Sequence, residues 1–182
     1  KEADMLVMVD MLLNNSMAGL IDLNLLSKQL VLDAGSYPMI LQDYSFLYMQ
    51  GKPKQGQSME EVKGLLLAQI DSIKQGAFAD WLPVAIINNM QLDEIKSYEK
   101  NNTRAQAMLD AFIFNIPWQE KLGFYNRLGA ITKQEIITFV KTYFNDNYVV
   151  VYKHSGEDTL VDKIAKPPIT PIQINRDAKS EF

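Results

Sequence analysis

Two strand-like runs, far apart in the chain with helix-period sequence between them, most constrain the fold. Tyr44 to Met49 alternates, placing Tyr44, Phe46 and Tyr48 on one face and Ser45, Leu47 and Met49 on the other. The breaker run Gly51-Lys52-Pro53 ends it. The second run, Tyr148-Val149-Val150-Val151-Tyr152, is compact and β-branched, the pattern of a strand buried on both faces. Strands this widely separated exclude a regular βαβ alternation and imply an α+β fold.

The helical stretches carry their own punctuation. Met5, Val9, Leu12 and Leu13 share a helical stripe widened by Leu6 and Met8, and Asn14-Asn15-Ser16 interrupts it. Gly19 precedes a short helix from Asp22 to Ser27, and Leu30, Val31 and Leu32 suggest a strand ending at Asp33-Ala34-Gly35, with Pro38 marking an irregular connection. Ser58-Met59-Glu60-Glu61 is a capping box opening a helix whose face is Val62, Leu65, Leu66, Gln69, Ile70 and Ile73, with Gly76 as its stop. Asp80 is placed to cap the next helix, which tolerates Pro83 in its first turn and carries Leu82, Ile86 and Met90 as its stripe. Ala105, Met108, Leu109, Phe112 and Ile113 match the amphipathic template closely. A short aromatic helix from Trp118 to Leu128 follows, then a second capping box, Thr132-Lys133-Gln134-Glu135, ahead of Ile136, Phe139, Val140, Tyr143 and Phe144. From Ser155 the chain turns polar, and Lys166-Pro167-Pro168-Ile169-Thr170-Pro171 reads as an extended linker. The expected division is a domain over 1–154 and a proline-containing linker over 155–182. Because the chain opens inside a helical pattern, it reads as a domain cut from a longer protein.

Counts of reactive residues narrow the chemistry. The 182 residues include no cysteine and one histidine, His154, so thiol catalysis, cysteine-ligated metals and multi-histidine sites have no residues to build them. No glycine-rich phosphate loop occurs. The net charge of −4 argues against nucleic acid as a general partner, which would call for a basic face. No apolar run approaches the ~20 residues needed to cross a bilayer. On these counts the chain is not a self-contained enzyme.

Each remaining candidate has a plainer reading beside it. His154 has only Glu157 and Asp158 as acidic neighbours and reads as a surface histidine rather than a ligand. Glu60-Glu61 and Asp93-Glu94 are adjacent pairs, which diverge on a helix and do not converge on one substrate atom. Lys52, Lys54 and Lys63 read as loop solvation, or as a small basic patch for acidic peptide. Asn14-Asn15-Ser16 and Asn101-Asn102-Thr103 match the glycosylation triplet, which arises often by chance. No catalytic or metal-binding residue is assigned. Tyr44, Phe46 and Tyr48 read either as core or as a wall that holds peptide side chains.

The order of these signals resembles the second, non-catalytic domain of the insulinase/pitrilysin-like zinc metallopeptidases. The stretches that carry it are 14–22, 51–63, 130–136, the run Asn147-Tyr148-Val149-Val150-Val151-Tyr152-Lys153, and the passage from Lys166 to Pro171 followed by Asn175-Arg176-Asp177. The resemblance implies an antiparallel-dominated sheet with helices packed on one face. It also implies a parent in which zinc and the catalytic base sit in a different domain, on an H-x-x-E-H helix. No such motif occurs here, so the zinc is expected in the parent's catalytic domain and no cofactor in this piece. The implied role is to buttress the zinc-bearing domain and wall a peptide chamber, with Tyr44, Phe46 and Tyr48 on the wall. Implied partners are the zinc-bearing domain, the second half of the parent and the peptide substrate. Two alternatives stand beside it: an assembly module on the same fold with no peptidase activity, and an unrelated peptide-binding α+β domain. A face normally covered in the parent is expected to bind the zinc-bearing neighbour, so that the piece self-associates or binds a separately supplied zinc domain and raises its activity. The sheet side near Tyr44, Phe46 and Tyr48 and the first helix around Met5 to Leu13 are the two places expected for it.

Overall fold

The computed structural model describes residues 1–41, 43–156, 165–171, 174, 176–177 and 179. It divides into two compact units, Lys1–Val150 and Val151–Phe182. In the first unit, helix α1 (Glu2–Leu13) leads through a single π-turn (Asp22–Leu26) to strands β1 (Asp33–Ile40) and β2 (Ser45–Lys52). The helices α2 (Met59–Lys74), α3 (Leu82–Ser97), α4 (Asn101–Ile113), α5 (Trp118–Leu122), α6 (Phe124–Gly129) and α7 (Lys133–Tyr143) follow. The architecture is α+β, with helices against one face of a two-stranded antiparallel sheet.

Helix α1 is apolar almost all round and lies at the centre of the core, as such a helix must. Met8, Val9, Leu12 and Leu13 are fully buried, among β1, β2, α3, α6 and α7. The first helix is therefore not a face awaiting a partner: its stripe is already enclosed within this chain.

Helix α2 packs on β2 and α7 through Val62, Leu66, Ile70 and Ile73. Gly51 makes that approach close, since a Cβ there would collide with Val62. Ser58 Oγ caps α2 by accepting from Glu61 N at 3.1 Å, but the Glu61 carboxylate accepts from Gln57 Nε2 instead of closing the box. At the other end Gly76 has φ of 70°, the left-handed turn that glycine takes without Cβ strain. Ala77 N then donates to Ser72 O at 2.8 Å and Gly76 N to Ile73 O at 2.9 Å, satisfying two end carbonyls. Helix α7 keeps both halves of its capping box, Thr132 with Glu135, and buries Ile136 and Val140.

Three expectations are corrected. The first strand starts at Asp33, where it was expected to end, and runs through Pro38. Leu41 N donates to Tyr44 O at 3.2 Å, and alternation along the ladder then turns the position of the missing Pro38 N–H away from β2. Asp80 does not cap α3; its carboxylate pairs with Lys133 Nζ at 2.7 Å, while Trp81 takes the cap position. Residues 147–155 form no strand, and Val149 and Val151 are 91% and 87% exposed. Their β-branched composition favours a ladder, but the sheet of the described residues contains β1 and β2 alone. Helix α4 forms where its period predicts one; it buries only Ala107 and Ala111, and its Met108–Leu109–Phe112–Ile113 stripe faces solvent.

In the second unit the described residues 151–156 and 165–171 are exposed and carry neither helix nor strand. No described helix is long and apolar enough to cross a membrane.

Candidate functional site

The β1–β2 register separates two faces. Ala34 and Ser36 on β1, with Leu47, Met49 and Gly51 on β2, point toward α1 and α2. On the opposite face Tyr37 pairs with Tyr48 and Met39 with Phe46. The Tyr37 and Tyr48 rings stack at 4.7 Å between centroids, inclined by 28°. Phe46 and Tyr48 remain close to half exposed, and Tyr44, just before β2, is 82% exposed. The sequence-predicted Tyr44, Phe46 and Tyr48 thus line an open apolar face, not the core.

Two members of this face were missed by sequence reasoning. Tyr37 and Met39 flank Pro38, which reads as a break; the alternation Tyr37, Met39 was the signal available, and Pro38 obscured it. A flat face of rings and a thioether offers stacking and dispersion contacts to apolar side chains and holds no acid, base or nucleophile suited to bond cleavage.

The carboxylates that are buried have structural partners. Asp10, within the apolar α1, accepts from Ser36 Oγ at 2.6 Å. Burial pushes its carboxyl up from the usual range, against the opposing effect of the Ser36 bond. Asp22 accepts from Asn14 Nδ2 at 2.9 Å, Asn15 N at 2.8 Å and Gly19 N at 3.1 Å, tying the end of α1 to the π-turn.

The other candidates are dispersed. Lys54 Nζ donates to Gln29 O at 2.8 Å, Lys63 pairs with Glu60, and Glu61 serves the start of α2, so these charges do not gather on a ligand. Glu94 accepts from Tyr98 Oη at 2.9 Å. Tyr125, which donates to Met90 O at 3.2 Å, has its hydroxyl pushed up to about 12, first by burial and then by Glu94. The Asn14 amide, the glycan position of the first triplet, is occupied by Asp22. His154 is exposed in the second unit. Among the described residues no three His, Asp or Glu side chains are grouped to hold a metal ion. The described donors do not form a zinc site.

No sequence-family model matches the chain, and no curated protein does. Solved structures do. A protease from Helicobacter pylori superposes with a TM-score of 0.70 at 20% identity, over 80% of this chain and 35% of that one. The inactive peptidase domain of a Bordetella parapertussis protein described as a zinc protease superposes with a TM-score of 0.67 at 13% identity, over 85% of this chain and 86% of that one. The chain spans about a third of the Helicobacter protein and most of the Bordetella domain. Its fold is that of these peptidase structures, in agreement with the insulinase-like architecture that the order of sequence signals resembles.

Proposed function

We propose that this chain is a non-catalytic domain of a zinc metalloendopeptidase of the insulinase-like kind, with a structural and peptide-holding role. The observation that carries it is the open face of Tyr37, Met39, Phe46 and Tyr48, with Tyr44 beside it, on a sheet whose other face is closed by α1 and α2. Such a face takes apolar side chains of an extended peptide, while zinc and the catalytic base come from a separate domain of the parent. The domain buttresses that neighbour and contributes one wall of the chamber.

The test is binding of a fluorescein-labelled extended peptide rich in Phe and Leu to the 182-residue chain, followed by anisotropy. Phe46→Ser and Tyr44→Ala are expected to weaken binding by about tenfold, equivalent to ~1.4 kcal/mol. Unchanged affinity in both variants would remove the wall from the proposal. The second reading, an assembly module without peptidase activity, draws on the Bordetella domain, which is itself an inactive peptidase domain. An H-x-x-E-H motif elsewhere in the parent's reading frame favours the peptidase, and its absence the assembly module.

A further inference from the structure

We infer that Gly35 is where the main chain of a bound peptide comes closest to the sheet, so that its missing side chain is itself part of the binding site. The inference rests on the peptide-holding role proposed above and adds to it the residue that lets the peptide down onto the aromatic face.

The sheet holds two glycines, one on each face, and this chain explains only one of them. Gly51 faces the helices, where an added Cβ would collide with Val62 and lie 3.2 Å from Leu66 Cδ1. Its missing side chain admits α2. Gly35 lies on the opposite face, two residues before Tyr37 and directly across from Gln50. Among the described residues an added Cβ there meets nothing within 4 Å.

Conformation does not call for glycine at this position either. Gly35 lies outside the left-handed region that Gly56 and Gly76 occupy. Pairing from Asp33 to Ile40 runs one residue to one, so there is no bulge at Gly35. A glycine inside a strand weakens it, and it marks a bulge, a sharp bend or the close approach of another backbone or ligand. Here the hairpin has no bulge and turns no corner at Gly35, which leaves approach from outside the described chain.

The surroundings suit a peptide. On one side of the gap stands the Tyr37–Tyr48 stack, and on the other the exposed Asp33 and Lys52, paired in register. Gln50 brings an exposed carboxamide, which both donates to and accepts from a peptide unit. A main chain crossing at Gly35 meets that amide, while its neighbouring apolar side chain packs on the Tyr37 and Tyr48 rings. A side chain at position 35 would lift the peptide off both.

Anisotropy with the fluorescein-labelled peptide rich in Phe and Leu, run beside thermal melts of the 182-residue chain, tests this. Gly35→Val puts a better strand former into open space, so its thermal midpoint should rise by roughly 2–4 °C. Its peptide affinity should fall by about tenfold, and that of Gly35→Ala by about threefold. Gly64→Ala, at an exposed position of α2 that is equally open, should gain stability with affinity unchanged. In filtered NOE spectra the Gly35 α-protons should contact α-protons of the peptide. Unchanged affinity in Gly35→Val would overturn the role of Gly35 while leaving the peptide-holding face standing, whereas no binding by the unmodified chain would remove both. A Gly35→Val chain that melts earlier would give the glycine a structural cause and would also overturn the inference.

Discussion

The Ser36 hydroxyl on β1 donates to the Asp10 carboxylate on α1 at 2.6 Å, joining the sheet to the central helix through a polar contact inside an apolar core. Its energetics are asymmetric. Burial raises the folded-state pKa of Asp10 above its unfolded value, so Asp10 favours the native state below the unfolded pKa of about 3.8. That contribution is lost as pH rises through the raised folded pKa. Asp10→Asn should therefore gain stability relative to the parent chain as pH is raised from 4 to 7, as read by urea denaturation at several pH values. Asp10→Ala should cost about 1–3 kcal/mol at pH 4, by leaving the Ser36 hydroxyl without its acceptor.

Asp22 presents a sharper case, because its carboxylate collects three donors at the end of α1. Asp22→Ala should destabilise by about 3 kcal/mol, with the loss seen in the thermal midpoint. Gly19→Ala should be destabilising at the same corner, since a Cβ there would lie 2.6 Å from Leu13 O and 2.7 Å from Asp22 Oδ2.

Stability and peptide binding should separate along the aromatic face. Tyr48→Ala removes the stack with Tyr37 and should cost about 0.5–1.5 kcal/mol beyond the lost area. Tyr44→Ala, at a position 82% exposed, should leave stability within about 0.5 kcal/mol while weakening the peptide. A Tyr44→Ala variant that melts earlier but binds peptide normally would reverse the assignment.

Glu135 has its carboxyl held down to about 2, first by the Lys1 ammonium and then by the Thr132 backbone and hydroxyl. A depressed folded pKa contributes above the unfolded value near 4.5 and fades as pH falls toward 2. Glu135→Gln should flatten the acid limb of the stability profile in that window. Thr132→Ala should lower stability by about 1 kcal/mol at neutral pH, through loss of the helix cap.

Helices were legible because their signals are local: Thr132 with Glu135 and Gly76 mark helix ends within a few residues of chain. Ile136 and Val140 then declare the buried face through period alone. Strands depend on partners distant in sequence, and here the sequence misled in both directions. Pro38 suggested a break but sits where a ladder needs no N–H, while Val149 to Val151 promised a strand that pairs with neither β1 nor β2. The three aromatic candidates were found because alternation places them on one face, but that face's exposure depends on α1 and α2 choosing the other. For α4 the period was clear and its direction was not: a hydrophobic stripe states that something covers it, without stating which molecule does.

Pro38 also gives the sheet a polarity. With its ring turned to the far side of β1, the middle of that margin has no donor to offer an incoming backbone. The margin of β2 keeps its amides at Leu47, Met49 and Gly51. A strand added beside β2, next to Phe46 and Tyr48, would meet an unbroken row of donors. Two hairpins meeting through their β1 margins would find no continuous ladder, which disfavours edge-to-edge pairing on that side.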